Sequence, residues 1–196
     1  MTGRPDVAVV RTERLLMRGF REEDREPFAR LNADPRVMEH FVRPQTREES
    51  DAFVDRIQAH WAEHGWGLWA LERTDTGAFL GYTGLWSVRF DAPFRPLVEV
   101  GWRMAYEHWG HGFATEAARA ALDIAFRVLR WDEVVSFTAV SNVRSQAVMR
   151  RIGMVRDPGG GFEHPNVPVG HPIRPHVLYR ARSTDARPPL VPLLSD

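Results

Sequence analysis

Apolar and polar positions along the chain follow two different periods, which mark strands and helices. The segment over 67–72 alternates as a half-buried strand does, and a turn signal over 74–77 leads into a return strand over 79–88. Phe53, Ile57 and Trp61 instead recur at helical spacing. In chain order, the pattern predicts a strand over 14–20, helices over 23–33 and 48–64, strands over 67–72, 79–88 and 98–105, a helix over 114–129, a strand over 133–140, a short helix that stops at 152–154, and a final strand over 176–182.

This order of elements predicts the fold class. Helices that follow the first, fourth and fifth strands can cover both faces of one mixed sheet, which is typical of an α+β domain. With 196 residues, 43% of them hydrophobic and 27% charged, the chain is expected to form a single globular domain with a full-sized core. No internal repeat is present.

Charge and cysteine content narrow the function classes. The 26 basic residues, all of them arginine, balance the 26 acidic ones, so we expect no nucleic-acid partner and no membrane surface. The absence of cysteine excludes a disulfide, a thiolate metal site and a cysteine nucleophile. No apolar stretch reaches the length of a membrane span and no apolar signal core is present, which predicts a cytoplasmic protein.

The most informative segment is Trp109-Gly110-His111-Gly112-Phe113-Ala114-Thr115-Glu116-Ala117, which lies between a predicted strand and a predicted helix. The first N–H groups of a helix have no internal partner, and the helix dipole adds a partial positive charge there. Glycines without a Cβ let an anion approach the backbone. The segment therefore predicts a phosphate cradle that needs no lysine.

A second strand and helix follow about 25 residues later and end in Ser141-Asn142-Val143-Arg144-Ser145 and Ile152-Gly153-Met154. Together with the glycine loop, this pair resembles the core of the GNAT superfamily of acyl-CoA-dependent N-acyltransferases. The resemblance is closest to the branch of the ribosomal-protein alanine N-acetyltransferases. It extends over 12–182 through Thr12-Glu13-Arg14-Leu15-Leu16-Met17-Arg18, Glu22-Glu23-Asp24, Gly81-Tyr82-Thr83-Gly84-Leu85 and Glu99-Val100-Gly101-Trp102.

The resemblance implies the architecture and its boundaries. We expect a GNAT domain over 12–182, an N-terminal tail over 1–11 and a proline-rich C-terminal tail over 183–196. The sheet should be mostly antiparallel, with fourth and fifth strands that run parallel and splay apart. The splay would take the pantetheine arm of acetyl-CoA from one side and the amine from the other.

The same resemblance implies the residues that bind acetyl-CoA as cosubstrate. The pyrophosphate is expected on the N–H groups of the loop, and pantetheine along the backbone of the fourth strand, with the N–H near Met104 as a candidate oxyanion donor. Trp102 could instead pack in the core, and Asn142 could cap a helix as well as bind pantetheine. The predicted set is Trp102, Arg103, Met104, Trp109, Gly110, His111, Gly112, Phe113, Ala114, Thr115, Asn142 and Ser145.

Two residues are candidates for catalysis. Strand alternation places Glu99, Gly101 and Arg103 on one face, where a desolvated Glu99 could act as the base; a partner for Arg103 or a solvent-facing charge is the alternative. Many family members carry a tyrosine acid where this chain has Met149. Ser145 is the branch's substitute for that acid, although a serine in the first turn of a helix also has a structural explanation.

The segment over 157–175 is rich in glycine, proline and histidine. The resemblance to the GNAT superfamily implies that this segment caps the acceptor side. Glu163 and His164 are candidates for substrate recognition, since a carboxylate can hold a cationic amine. The histidine spacing fits no metal motif, so we expect no metal.

The predicted function is transfer of an acetyl group from acetyl-CoA to a primary amine by direct attack in a ternary complex. The amine could be a protein or peptide N-terminus, a polyamine, an amino acid or an aminoglycoside-like molecule, and a homodimer is possible. One alternative is a GNAT fold that binds acyl-CoA as a sensor or scaffold without transfer. Binding of a plain nucleotide is less favoured, because the chain has no Gly-Lys-Ser/Thr loop and no Rossmann triple glycine.

Overall fold

A computed structural model describes residues 7–185 of the chain. One sheet holds all nine described strands in the order β1-β2-β3-β4-β5-β6-β9-β7, with β8 paired to β9. The strands are β1 (Val10–Arg11), β2 (Leu15–Arg18), β3 (Leu68–Arg73), β4 (Phe79–Ser87), β5 (Val98–Met104), β6 (Glu133–Ala139), β7 (Val155–Arg156), β8 (Phe162–Glu163) and β9 (Pro175–Arg182). The helices are α1 (Arg25–Ala33), α2 (Arg47–His64), α3 (Phe113–Asp123) and α4 (Val143–Arg151).

The helices cover both faces of the sheet, as predicted. Alternation along β3 places Trp69 and Leu71 against the core that includes α3 and α4, whereas Leu68 and Ala70 face the core of α1 and α2. We call these the α3 face and the α1 face. The single-domain α+β architecture and the mixed sheet are therefore confirmed.

All neighbouring strands except β5 and β6 pair in antiparallel fashion. The parallel pairing of β5 with β6 is confined to Glu99 opposite Val135, near the start of both strands. Beyond this point the two strands have no register partners, so their carboxyl-terminal halves leave an opening in the sheet. This opening, which we call the splay, lies where the sequence predicts it.

The helix predicted over 114–129 is present, but its second half is π-helical rather than α-helical. After α3 the chain forms a π-helical turn over Ile124–Val128, in which Leu129 N–H donates to the Ile124 carbonyl five residues earlier at 2.9 Å. Hydrophobic spacing is similar in an α-helix and in a single wide turn, so the pattern does not distinguish them.

The N-terminal boundary also differs from expectation. Val7 and Val10 are buried in the core, Trp69 Nε1 donates to the Val7 carbonyl at 2.9 Å, and β1 pairs with β2. The packed region therefore begins before Thr12. Residues 1–6 and 186–196, which include most of the predicted C-terminal tail, lie outside the described residues. No helix between residues 7 and 185 is both long and apolar enough to cross a membrane.

Candidate functional site

Three helix N-termini show how differently this chain treats unpaired N–H groups. At α2, the Thr46 hydroxyl accepts from Glu49 N–H and the Glu49 carboxylate accepts from Thr46 N–H, which is a closed capping box. At α4, Asn142 Oδ1 accepts from Ser145 N–H at 3.1 Å. At α3, which follows Gly112, no side chain between residues 7 and 185 caps the first turn. The N–H groups of that turn are therefore available to an anion.

The loop before α3 has the backbone conformation that such a cradle needs. Gly110 and Gly112 have φ angles of 81° and 83°, a region that glycine enters at little cost. A Cβ on Gly110 would meet no nonadjacent atom of the described chain within 4 Å, so this position opens outward. Trp109 fixes the start of the loop, because its Nε1 donates to the Met104 carbonyl at 2.9 Å.

Arg14 and Glu116 hold the other side of the loop. Arg14 Nη1 donates to the His111 carbonyl at 2.9 Å, while its Nε donates to Glu116 at 2.7 Å. Glu116 is buried and also accepts from the Thr12 hydroxyl at 2.6 Å. Glu116 thus ties the start of β2 to α3, beyond the helix stabilisation expected of a first-turn acid. The sequence gives no signal for a contact between residues 102 positions apart.

The backbone of β5 presents polar groups to the splay. Val88 N–H bonds to the Leu97 carbonyl and Ala105 N–H to the Leu80 carbonyl, each at 2.8 Å, which fixes the alternation of the β4–β5 ladder. The N–H groups of Trp102 and Met104 consequently point away from β4, toward the opening. They are in position to pair with an extended ligand or an oxyanion, as predicted for this strand.

Glu99 lies on the α1 face at the foot of the splay. The residue keeps some accessible surface, yet surrounding protein desolvates its carboxyl and raises the pKa to about 8. Among the described residues no side chain forms a hydrogen bond or ion pair with it, so the predicted alternative of an Arg103 partner is wrong. The carboxyl can therefore act as a base close to neutral pH.

Gly101 leaves open space beside Glu99. It lies between Glu99 and Arg103 on the same strand and the same face, and a Cβ built on it meets no nonadjacent described atom within 4 Å. Its strand neighbour Gly84 also lacks a side chain. Glycine inside a strand often marks a close approach of ligand or backbone, and this signal was present in the sequence.

Aromatic side chains border this open space. Phe53 of α2 packs edge-on against Tyr82 and Trp86, which flank Gly84 on β4, with ring centroids 5.8 Å and 6.1 Å apart. On the other side of the splay, Phe137 of β6 faces Phe90 at 5.8 Å. The cleft above Glu99 and Gly101 therefore lies between two aromatic walls.

The segment between α1 and α2 reaches across the carboxyl-terminal end of the splay. His40 Nδ1 lies 3.4 Å from the Ser141 hydroxyl, and Glu39 forms an ion pair with Arg144 at 3.1 Å. Arg36 lies over the Tyr106 ring at 4.0 Å. The segment thus contacts residues that directly follow β5 and β6. Its loop-like sequence did not indicate this role.

Asn142 and Ser145 lie at the start of α4. Asn142 caps the helix, and its Nδ2 donates to the Thr138 hydroxyl at 3.0 Å, so the structural explanation for this residue is confirmed. The half-buried Ser145 has no hydroxyl partner among residues 7–185. Met149 is buried in the core on the α3 face, so no acid is presented from that position.

Glu163 and His164 are adjacent in sequence but point to different surroundings. Glu163 is exposed and forms an ion pair with Arg174 at 3.0 Å, outside the cleft. The His164 ring lies 4.7 Å from Phe90 and 5.9 Å from Phe137, in the aromatic wall. Burial, with the neighbouring charges of His176 and Arg174, lowers the pKa of His164 to about 4, so this ring is neutral. Within the described chain no group of three metal-binding side chains is found.

Comparisons with known proteins agree with this geometry. Residues 14–155 match the family model described as Acetyltransferase (GNAT) domain. The chain is 31% identical over 144 residues to the uncharacterized protein YkkB of Bacillus subtilis, covering 73% of this chain and 83% of that protein. It is 33% identical over 160 residues to the FsC-acetyl coenzyme A-N(2)-transacetylase of Aspergillus fumigatus, covering 73% of this chain and 63% of that protein.

A solved acetyltransferase from Agrobacterium tumefaciens superposes with a TM-score of 0.71 at 28% identity, covering 93% of this chain and 98% of that one. A family model that spans most of a chain, a relative above 30% identity and a matching fold are independent lines of support. The chain therefore belongs to the GNAT family and is an acyl-CoA-dependent N-acyltransferase.

Proposed function

We propose that the protein transfers an acetyl group from acetyl-CoA to a primary amine by direct attack in a ternary complex. The observation that carries this proposal is Glu99, a carboxyl with a pKa raised to about 8, beside the open space over Gly101. An amine is protonated near neutral pH and needs a base before it can attack a thioester. A desolvated carboxyl without an ion-pair partner fits that task.

Acetyl-CoA binds in two parts in this proposal. Its pyrophosphate lies on the uncapped first turn of α3 and the loop over 109–115, where N–H groups and the helix dipole attract anions. Its pantetheine arm enters the splay and pairs with backbone groups of Trp102 and Met104, as an added strand would. The thioester carbonyl then lies at the N–H groups that face the opening.

The chemical step follows from this placement. The amine gives a proton to Glu99, directly or through water, and its nitrogen lone pair attacks the thioester carbonyl carbon. The developing oxyanion is stabilised by the N–H of Met104. Collapse breaks the carbon–sulfur bond, and the thiolate leaves with the bonding electrons and takes a proton from the Ser145 hydroxyl or from water. The second proton that the nitrogen loses in becoming an amide restores that hydroxyl or passes to water. The products are the N-acetyl amine and free CoA.

The acceptor in this proposal is a small molecule or a peptide N-terminus. The first test measures thiol release from acetyl-CoA with N-terminal peptides, amino acids, polyamines and aminoglycosides. Turnover of any of these amines supports the proposal. Binding of CoA without turnover of any amine favours the acyl-CoA sensor or scaffold instead, and equal competition by ATP would favour nucleotide binding.

The binding of CoA at the glycine loop has its own test. Gly110→Asp and Gly110→Asn have nearly the same shape, and both residues tolerate a positive φ better than most others do. Only the aspartate adds a negative charge to the proposed phosphate site. We expect Gly110→Asp to weaken CoA binding at least about tenfold relative to Gly110→Asn, measured by calorimetry. Equal affinities of the two variants would place the pyrophosphate elsewhere.

A further inference from the structure

Two arginines on the α1 face are buried to a similar degree but satisfied very differently. Arg18 is 5% exposed and forms ion pairs with Asp24 at 2.6 Å and Glu72 at 2.8 Å. Arg103 is 7% exposed, and within residues 7–185 no carboxylate pairs with it. The core thus holds one fully paired guanidinium and one without a counter-anion.

The contacts of Arg103 are incomplete. Nη1 donates to Asn32 Oδ1 at 2.6 Å, and the guanidinium lies 4.2 Å from the Phe41 ring and 5.5 Å from the Tyr82 ring. Its Nε is buried with no hydrogen-bond partner in the described chain. Buried cations are normally paired with an anion because desolvation without one is costly, so the site lacks its natural complement.

The position of Arg103 indicates where that anion comes from. Arg103 follows Glu99 by four residues on one face of β5, and the residue between them on that face is Gly101, above which the space is open. A strand rises about 3.3 Å per residue, so the two α-carbons lie about 13 Å apart. Glu99 and Arg103 therefore lie on either side of the open space over Gly101, where the proposed reaction places the acceptor amine.

We propose that Arg103 binds a carboxylate of the acceptor, so that the substrate class is an amine that also carries a carboxylate, such as an amino acid. This inference rests on the proposed function, since it names the acceptor of that reaction. The amine end lies toward Glu99 and the carboxylate toward Arg103. A guanidinium presents a planar fork of donors that matches a carboxylate, and the unsatisfied Nε supplies one arm of it. Polyamines, which carry only positive charge, are disfavoured by the same cation.

Asn32→Asp is the variant that tests this assignment most directly. It places a carboxylate where the amide oxygen already accepts from Arg103, and the Ser50 hydroxyl, now bonded to Asn32 Nδ2 at 2.9 Å, can donate to the new oxygen. The variant therefore supplies the missing counter-anion without removing the arginine or its packing. Arg103→Gln is the complementary variant, and the melting temperature of each shows whether it folds.

The assay compares three amines that share one phenethyl skeleton and carry a carboxylate, a carboxamide or neither beside the amine: phenylalanine, phenylalaninamide and phenethylamine. A second comparison uses peptides that have a free N-terminal amine, an amidated C-terminus and either glutamate or glutamine as the second residue. This pair shows whether a side-chain carboxylate of a peptide can replace the carboxylate of a free amino acid. We expect the wild-type protein to favour carboxylates at least about tenfold in kcat/KM. Asn32→Asp should abolish this preference by raising the KM for the carboxylate substrate, and it should leave turnover of the amide unchanged.

Binding provides a readout independent of turnover. N-acetylphenylalanine should raise the melting temperature of the wild-type protein in the presence of CoA more than its carboxamide does, and Asn32→Asp should remove that difference. An equal response to acid and amide, or a preference that survives in Asn32→Asp, overturns the carboxylate assignment and leaves Arg103 as a structural link to α1. Selective binding of the acid without turnover of any amine would support the carboxylate site and overturn the transfer reaction.

Discussion

The two faces of β5 differ in how completely the protein satisfies their side chains. On the α3 face, Val100 is fully buried and Met104 is 6% exposed, both within the main core. On the α1 face, Glu99 has no ion-pair partner and Arg103 has a buried nitrogen without a hydrogen-bond partner in the described part of the chain, while Gly101 has no side chain. The same strand thus has one face whose side chains are packed in the core and one face whose charged side chains lack counter-ions among the described residues.

This difference separates what stabilises the fold from what is reserved for a ligand. Buried apolar groups on the α3 face gain free energy simply by leaving water. Glu99 and Arg103 on the α1 face lose solvation without gaining an oppositely charged partner among residues 7–185, which is unfavourable unless a ligand supplies one. Alternation along a strand lets the same seven residues, Val98–Met104, perform both tasks.

The largest expected effect comes from filling the open space with Gly101→Leu. Gly101 does not have a positive φ, so a side chain is compatible with its backbone. The isobutyl group would occupy the region in which the amine must meet the thioester. We expect amine turnover to fall at least about 100-fold, since misplacement of reacting groups by about 1 Å can cost that much. Thiol-release kinetics give the loss, and CoA binding should be retained.

Val100→Ala is the matched control on the opposite face. It deletes two buried methyl groups and should lower the free energy of unfolding by about 2 kcal/mol, measured by urea denaturation. Its kcat should stay within about twofold of the wild-type value at a temperature where the variant is folded. A large loss of kcat in Val100→Ala, or none in Gly101→Leu, would contradict the division of labour between the two faces.

The second largest effect is expected for Glu99→Gln, which removes the proposed base and keeps the shape of the side chain. General-base catalysis contributes about 100-fold or more where the base is ionised. Because the pKa of Glu99 is raised to about 8, the wild-type advantage in kcat/KM should fall tenfold per pH unit below that value. The ratio of wild-type to variant rates at each pH is the measurement, since ionisation of the substrate amine cancels in it. A ratio that does not vary between pH 6 and 9 would exclude Glu99 as the base.

Much of the fold could be predicted from the sequence, because long periodic elements give their own signal. Alternation and helical spacing placed β3, β4, α2 and β6 within a few residues of their bounds. The two-residue strands β1, β7 and β8 have no period of their own and depend on pairing with distant partners. Their positions could not be predicted for that reason.

The candidate site was predictable in its backbone and less so in its side chains. The glycine loop, the splay and the face of Glu99 follow from local pattern and resemblance. The pairing of Arg103 with Asn32 joins residues 71 positions apart, and that of Arg14 with His111 joins residues 97 apart. Contacts of this kind depend on how the helices dock on the sheet. Glu163 pairs with Arg174 outside the cleft, and its sequence neighbourhood gave no signal for that ion pair.

The smallest expected effect concerns how stability depends on pH. The unfolded chain ionises Glu99 near the ordinary glutamate pKa of about 4.3, whereas the folded protein holds the proton up to a pKa of about 8. Between these values the folded state binds one proton more than the unfolded state at this site, so the contribution of Glu99 to stability falls as pH rises. Glu99→Gln has no such proton. Urea denaturation at pH 5 and pH 8.5 should show a steeper decline for the wild-type protein than for the variant. If the free energy of unfolding declines equally in both proteins, the Glu99 carboxyl is well solvated. Arg103 would then be the one desolvated charged side chain on the α1 face of β5 that lacks a counter-ion among the described residues.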